Sequence, residues 1–370
     1  MSTFQLEIQL VAAVVAAACA LPGTFLMLRR MAMMSDAISH AILPGIVIGF
    51  FLTGNLSSPL LIVGGAATGL LTVVLVEWIR KTNRVREDAA IGLVFSTLFA
   101  LGVVLIARFA GDIHLDTDAV LLGELAFVPF DRLTIRGHDL GPQALYTTAI
   151  VGLITLNFIL LFYKELKLAT FDSALCATLG FLPGVLHYIL MGFISMTAVV
   201  AFDAVGSILV IALMVGPPVN AYLITNHFGR VILYSVLLSI IAAITGYWVA
   251  YLLDASIAGC MAVMVGIQFT ILFCISPQQG LLATWKRKRY QKWQFAMKML
   301  VIHIMQHENT PEAERECHID HLQDHLAWEK TFAEGVVSRA VSKKLLRLAG
   351  EYLKLTPSGR ELAREAIVNS

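Results

Sequence analysis

Apolar residues run in long blocks through the first three quarters of the chain and then give way to short amphipathic segments. Nine blocks approach or exceed the roughly 20 residues a helix needs to cross a hydrocarbon core of about 30 Å. They lie at roughly 6–28, 36–54, 59–79, 88–110, 144–163, 184–202, 204–225, 231–253 and 256–276. The joins carry turn chemistry or charge, as in Thr53-Gly-Asn-Leu-Ser-Ser-Pro59. Only the Phe202-Asp203 region separates the sixth block from the seventh, and the two could be one broken element, so the pattern predicts eight to ten spans. The first block is long enough to span and others follow it, so it reads as a helix of the bundle rather than a cleaved leader.

Composition sharpens this division. The 370 residues are 58% hydrophobic and only 14% charged, with a mean hydropathy of +0.76, against roughly 25% charged in ordinary soluble domains. The charges are uneven: 12 basic and 15 acidic side chains up to Leu281, then 15 basic and 11 acidic in fewer than 90 residues. A transmembrane domain at 1–281 and a soluble, mildly basic tail at 282–370 account for both figures. A soluble enzyme, a disordered chain and a disulfide scaffold are excluded, and the net charge of +1 excludes a global polyanion binder. The five cysteines form no CxxC pair. The predicted fold is an all-α polytopic membrane protein of about nine transmembrane helices with a small C-terminal domain.

Orientation follows from the placement of Lys and Arg. Arg29-Arg30, Arg80 to Arg86, Lys164 with Lys167, Arg230 and Lys286 to Arg289 fall in alternate joins. The other joins hold Thr53–Ser58, the acidic 112–118 segment, Asp203 and Asp254; Arg132 and Arg136 are the exceptions. With nine spans, the N-terminus lies outside and the tail is cytoplasmic.

A polar side chain deep in an apolar span needs a reason, since a charge at the bilayer centre costs at least ~2.5 kcal/mol. In Met34-Ser-Asp-Ala-Ile-Ser-His-Ala41, Asp36 and His40 are four residues apart and share one helix face. A carboxylate and an imidazole converging there form half of a transition-metal site; alternatively the two pair with each other, or Asp36 caps the helix. The segment 163–180 reads as a short amphipathic helix ended by Gly180, either a docking element for another protein or a surface-lying linker. Pro217-Pro218 should break or kink its span. Among the other buried polar residues, His187 reads as interfacial and Asp203 as a loop residue; Asn157 and Gln268 carry no specific expectation.

Taken in order, the segments resemble a known family. Arg29-Arg-Met-Ala-Met-Met-Ser-Asp-Ala-Ile-Ser-His-Ala-Ile-Leu-Pro-Gly45 closely resembles the early signature of the manganese/zinc/iron ABC transporter permeases. Glu87–Gly92, Val120–Gly123, Phe171–Gly180 and Val205–Pro217 follow in the same order. The resemblance implies a bacterial inner-membrane subunit without its own ATPase and with no permanently bound cofactor. Its partners would be cytoplasmic ABC ATPases, a second permease subunit, identical or related, and an extracytoplasmic metal-binding protein. It also implies that Asp36 and His40 contact the transported Mn, Fe or Zn ion. Phe171, Asp172, Ala174, Ala177 and Gly180 would lie on the helix that couples to the ATPase. The competing readings are a membrane-tethered, metal-responsive DNA-binding regulator and a gradient-driven metal carrier; a siderophore or cobalamin permease is disfavoured by the Asp36/His40 pair.

The tail opens with the basic-aromatic run Trp285-Lys-Arg-Lys-Arg-Tyr-Gln-Lys-Trp293, suited to anionic lipid headgroups. An apolar helix at 295–305 and a basic amphipathic helix at 336–348 follow. Tyr352-Leu-Lys-Leu-Thr-Pro-Ser-Gly-Arg-Glu-Leu-Ala363 resembles the end of the winged-helix domain of iron-dependent, DtxR-like repressors, which implies a winged-helix-like cytoplasmic domain. DNA contact through it is the weaker reading, because the tail is only mildly basic and its wing is short. Cys317, His318, His321 and His325 could place metal ligands on neighbouring turns, or belong to a solvated helix that happens to be His-rich.

Overall fold

The computed structural model describes residues 3–54, 58–109, 125–135, 138–276, 280–311, 313–318, 326, 328–350 and 352–368. The chain divides into two compact units, Met1–Gly280 and Leu281–Ser370.

In the first unit the helices are α1 (Thr3–Leu28), α2 (Ala32–Ala41), α3 (Leu43–Thr53), α4 (Pro59–Lys81), α5 (Glu87–Phe109), α6 (Gln143–Leu161), α7 (Tyr163–Phe171), α8 (Ser173–Thr178), α9 (Pro183–Val205), α10 (Ser207–Ile224), α11 (Phe228–Leu253) and α12 (Ile257–Ile275). Counting α2 and α3 as one stretch, nine among the described residues are long and apolar enough to cross a membrane. Helix α1 forms the centre and packs against α11, α10 and α6. Its residues Val11 to Leu26 are almost wholly buried, whereas Leu71, Val104, Leu160 and Leu252 on outer helices are exposed. That distribution suits apolar side chains facing lipid, where helices associate by close packing and not by escape from water.

Small residues set the closest approaches. A Cβ on Gly45 would come within 2.1 Å of the Gly64 carbonyl oxygen, and one on Gly64 within 2.4 Å of the Gly45 oxygen. Glycine at both positions therefore lets α3 and α4 touch backbone to backbone. Gly64→Val should force them apart at about 1–3 kcal/mol, read as a lowered unfolding temperature of the purified chain. Polar links between helices include Ser195 Oγ donating to Ala66 O at 3.0 Å and Asn220 Nδ2 donating to Val265 O at 3.3 Å. Such bonds average ~0.6 kcal/mol in membranes, less than the packing they accompany.

Several expectations are corrected. The chain is mostly helical, not all-α. An antiparallel hairpin, β1 (Arg132–Ile135) and β2 (His138–Pro142), stands between α5 and α6. Its four- and five-residue strands are too short for a helix-length pattern to register. Arg132 anchors it, bonding Glu7 at 3.3 Å and Asp139 at 2.5 Å. The Asp139 carboxyl is held low by Arg132 and by the Gly141 N–H. The stretch expected as one span at 36–54 begins at Ala32 and is interrupted at Ile42, because Pro44 has no N–H to bond the His40 carbonyl. Pro217-Pro218 breaks nothing: α10 runs through both. The Met214 carbonyl, denied its partner by Pro218, abuts Gly23 of α1 so closely that a Cβ there would lie 2.0 Å from it. Asp203 belongs to α9, and Gly206, at φ +79°, makes the turn into α10. The segments 112–118 and 120–123 and Arg136 lie outside the described residues.

The second unit contains α13 (Leu281–His307), α14 (Ala313–Glu316), α15 (Lys330–Ser342), the hairpin β3 (Leu346–Ala349) and β4 (Tyr352–Leu355), and α16 (Pro357–Val368). Met297, Leu300, Ile304, Val336, Leu353 and Ala363 contribute to one core. The helix expected at 336–348 starts earlier and stops at Ser342. Lys344 takes a left-handed conformation, φ 56°, while Leu345 N–H bonds Ala340 O, a glycine-free version of a common helix stop. The remaining residues pair in register, Leu346 with Leu355 and Leu348 with Leu353. Thr356 Oγ1 then bonds Lys344 O and Leu345 O and accepts from Gly359 N–H, tying the hairpin to the start of α16.

Candidate functional site

Helix α2 presents Asp36 and His40 on one face, with His40 Nε2 3.4 Å from Asp36 Oδ1. Its packing is done by other residues: Met34, Ser35, Ala37, Ile38, Ser39 and Ala41 are buried. Ser35 Oγ contacts Met214 Sδ at 3.2 Å, which holds the turn carrying Asp36 against α10. The His40 ring rests against Phe95 and Phe99 of α5, with centroids 6.0 and 6.1 Å away. Asp36 and His40 retain 34% and 26% side-chain exposure, so both heads are open to a ligand while the helix beneath them is fixed. Pro44 adds something the spacing motif did not reveal. Lacking an N–H, it denies the His40 carbonyl its usual helical partner at the point where α2 gives way to α3. One carboxylate and one imidazole hold an ion weakly, since Zn²⁺ takes four ligands; the remainder must come from water or another chain.

A second polar cluster joins the ends of α1, α4, α7 and α9. Arg29 Nη1 donates to His187 Nδ1 at 2.9 Å, and Arg29 Nε to Thr170 Oγ1 at 3.2 Å. Because a guanidinium only donates, His187 Nδ1 must accept, which puts the ring proton on Nε2. That nitrogen faces Glu77 Oε1 at 2.6 Å, and Tyr188 Oη donates to Glu77 Oε2 at 2.7 Å. Burial lowers the Arg29 pKa to about 10, so it stays charged at neutral pH. A cavity of about 460 Å³ adjoins the cluster, lined among others by Arg80, Lys81, Thr170 and Ser173. His187 is thus a partner in a half-buried network near the end of its span. Glu77 and Tyr188 were not singled out by sequence reasoning; an acidic residue among basic ones at a span end was the available signal.

The segment expected as one amphipathic helix is two. α7 ends at Phe171, and Asp172 Oδ1 caps α8 by accepting from Leu175 N–H at 2.9 Å. Gly180, at φ +86°, provides the stop. Phe171, Ala174, Ala177, Leu179 and Gly180 are exposed, while Cys176 is buried. This leaves a smooth, largely apolar surface directly continuous with Thr170 and its bond to Arg29.

In the second unit Cys317 is buried and its carbonyl accepts from Leu353 N–H at 2.9 Å. Burial, aided by Glu308 and Glu316, pushes its thiol up, which disfavours a thiolate ligand. His318 makes a β-bridge with Tyr352. His321 and His325 lie outside the described residues. Among the described residues, the side chains that do converge as three potential metal ligands are others: His303, His307 and Glu316.

The sequence profile described as the ABC 3 transport family matches residues 1–276. The chain belongs to this family. It is 42% identical, over 97% of its length and 98% of the other protein, to the zinc transport system membrane protein TroD of Treponema pallidum. It is also 42% identical, over 72% of its length and 90% of the relative, to the manganese transport system membrane protein MntD of Bacillus subtilis. The first match, 359 residues long, is too extensive to be confined to the membrane unit. Among solved structures, PsaBC from Streptococcus pneumoniae in complex with Fab superposes with a TM-score of 0.63 at 28% identity, covering 75% of this chain and 94% of that one.

Proposed function

We propose that this chain is the permease subunit of an ATP-driven importer of divalent transition-metal ions, with ATP hydrolysed by a separate chain. The observation that carries the proposal is the Asp36/His40 pair, held with both heads open on a helix interrupted at Ile42. Mixed oxygen and nitrogen donors suit Mn²⁺, Fe²⁺ or Zn²⁺, and the absence of a thiolate in the pair disfavours a soft ion. A transport site must release its ion, so two side-chain ligands per subunit are sufficient. Two permease subunits, identical or related, would supply two such pairs, and an extracytoplasmic binding protein would deliver the ion.

The proposed membrane is the bacterial inner membrane, with the tail cytoplasmic. Two sets of contacts support that orientation. Arg29, Glu77, Thr170 and His187 meet at the end where the basic joins lie, and Glu7 meets Arg132 at the other. The exposed surface of Phe171, Asp172, Ala174, Ala177 and Gly180 is the proposed ATPase contact. Closure of the ATPases would move α7 and α8 and, through Thr170 and Arg29, the ends of α1, α4 and α9; ATP supplies the free-energy difference between the two states. For the tail, the order α15, β3, β4, α16 supports a winged-helix-like domain whose role is structural or regulatory, without DNA contact.

The element content of cells with and without this chain tests the proposal. Loss of accumulation of manganese, iron or zinc on deletion, restored by the intact chain, is the expected outcome. Unchanged content of all three would overturn it.

A further inference from the structure

Outside the membrane unit, one cluster combines ligand chemistry with burial. Near its C-terminal end α13 carries His303 and His307 one turn apart on one face, with ring centroids 4.8 Å apart. Glu316, on α14, approaches from across the turn: its Oε2 lies 3.6 Å from His303 Nε2, and its main-chain oxygen 3.2 Å from the same nitrogen. One ligand atom from each of the three lies within 4.8 Å of the others. His303 and Glu316 are 7% exposed, and His307 is half-buried. Nearby Glu308 is engaged by Arg360 at 2.8 Å, and Cys317 is not part of the group.

Donors on one ion bound at about 2.1 Å stand roughly 3.4 Å apart in a tetrahedron. The three side chains are therefore about an ångström from coordinating distance, a gap that small side-chain rotations close. Two imidazoles with one carboxylate form a common three-ligand set for a transition metal, with a fourth position left for water. Calcium and magnesium take all-oxygen surroundings and are poorly served by this set.

We propose that His303, His307 and Glu316 bind a divalent transition-metal ion of the zinc, iron or manganese class within the soluble unit. Occupancy ties α13 to α14. Through Cys317 O to Leu353 N–H and the His318–Tyr352 bridge, it also ties both to the β3–β4 hairpin. A bound ion then stabilises the whole unit by mass action. The site stands independently of the ion path in the membrane, because it shares no residue with Asp36 and His40.

The test titrates the purified full-length chain with Co²⁺, read by its visible absorption, and measures bound Zn²⁺ by equilibrium dialysis. His307→Ala and Glu316→Gln should each weaken one equivalent of metal by at least about tenfold, while the Asp36→Ala/His40→Ala double variant and Cys317→Ser retain it. In the unmodified chain, Zn²⁺ should slow hydrogen exchange across 296–307 and 313–317. Unchanged binding in the His307 and Glu316 variants, or no exchange protection of those segments by Zn²⁺, would overturn the proposal. The exchange measurement needs no variant and so decides the matter even where a substitution unfolds the unit.

Discussion

Asp36→Ala or His40→Ala reduces metal accumulation to that of cells lacking the chain, yet leaves the protein folded and assembled. Both halves of this expectation come from the geometry of α2. The residues that pack the helix are Met34, Ser35, Ala37, Ile38, Ser39 and Ala41, none of which is changed. The Asp36–His40 contact at 3.4 Å joins two partly exposed side chains, and pairs of that kind contribute only about 0–1 kcal/mol. Truncation therefore removes ligand atoms while leaving the buried face of α2 intact. Asp36→Asn should be as damaging to uptake as Asp36→Ala, since it keeps the shape and loses the charge that a divalent ion needs. Co-purification with the ATPase and second permease subunit checks assembly, and cellular metal content checks transport. Normal uptake in both alanine variants would remove the pair from the ion path.

Arg29→Ala is expected to uncouple the system: ATP hydrolysis by the complex continues while uptake collapses. Arg29 bonds Thr170 through Nε and His187 through Nη1, so it links the end of α1 to the element continuous with α8 and to α9. Glu77 completes the linkage by accepting from His187 and Tyr188. Arg29→Lys should fail to rescue, because a single ammonium cannot reproduce two differently directed guanidinium bonds. Glu77→Ala should also destabilise the chain, since it removes the acceptor of His187 and Tyr188 and weakens the charge compensation of Arg29. The ratio of ions moved to ATP hydrolysed distinguishes uncoupling from simple loss of folding. Equal losses of both activities in Arg29→Ala would argue for a merely structural cluster.

How much of this was readable beforehand depended on how far apart the partners lie in the chain. The spans were legible because each is a long apolar block with charge or turn residues at its ends. The Asp36/His40 pair was legible because both residues sit within one helical turn. The Arg29 network was not, since Thr170 and His187 are 141 and 158 positions away, and nothing in a local pattern pairs them. The β1–β2 hairpin escaped for a different reason: strands of four or five residues leave almost no periodic trace, and β4 was foreshadowed only by the resemblance of Tyr352–Ala363 to a wing strand running into a closing helix. At 342–346 local chemistry misled, because Lys344 supplies a left-handed helix stop that glycine usually marks. Pro44 and Pro218 were both visible, yet their consequences differed with tertiary context: Pro44 separates α2 from α3, whereas Gly23 receives the carbonyl that Pro218 leaves without its helical partner.

The most direct measurement of the central claim is ion uptake into vesicles containing the purified complex, with ATP inside or outside the compartment holding the ATPases. Mn²⁺, Fe²⁺ or Zn²⁺ should accumulate only when the ATPases can reach ATP, and not at all when Asp36 and His40 are both replaced by alanine. Accumulation that proceeds without ATP, driven by an ion gradient, or that survives the double replacement, would contradict it.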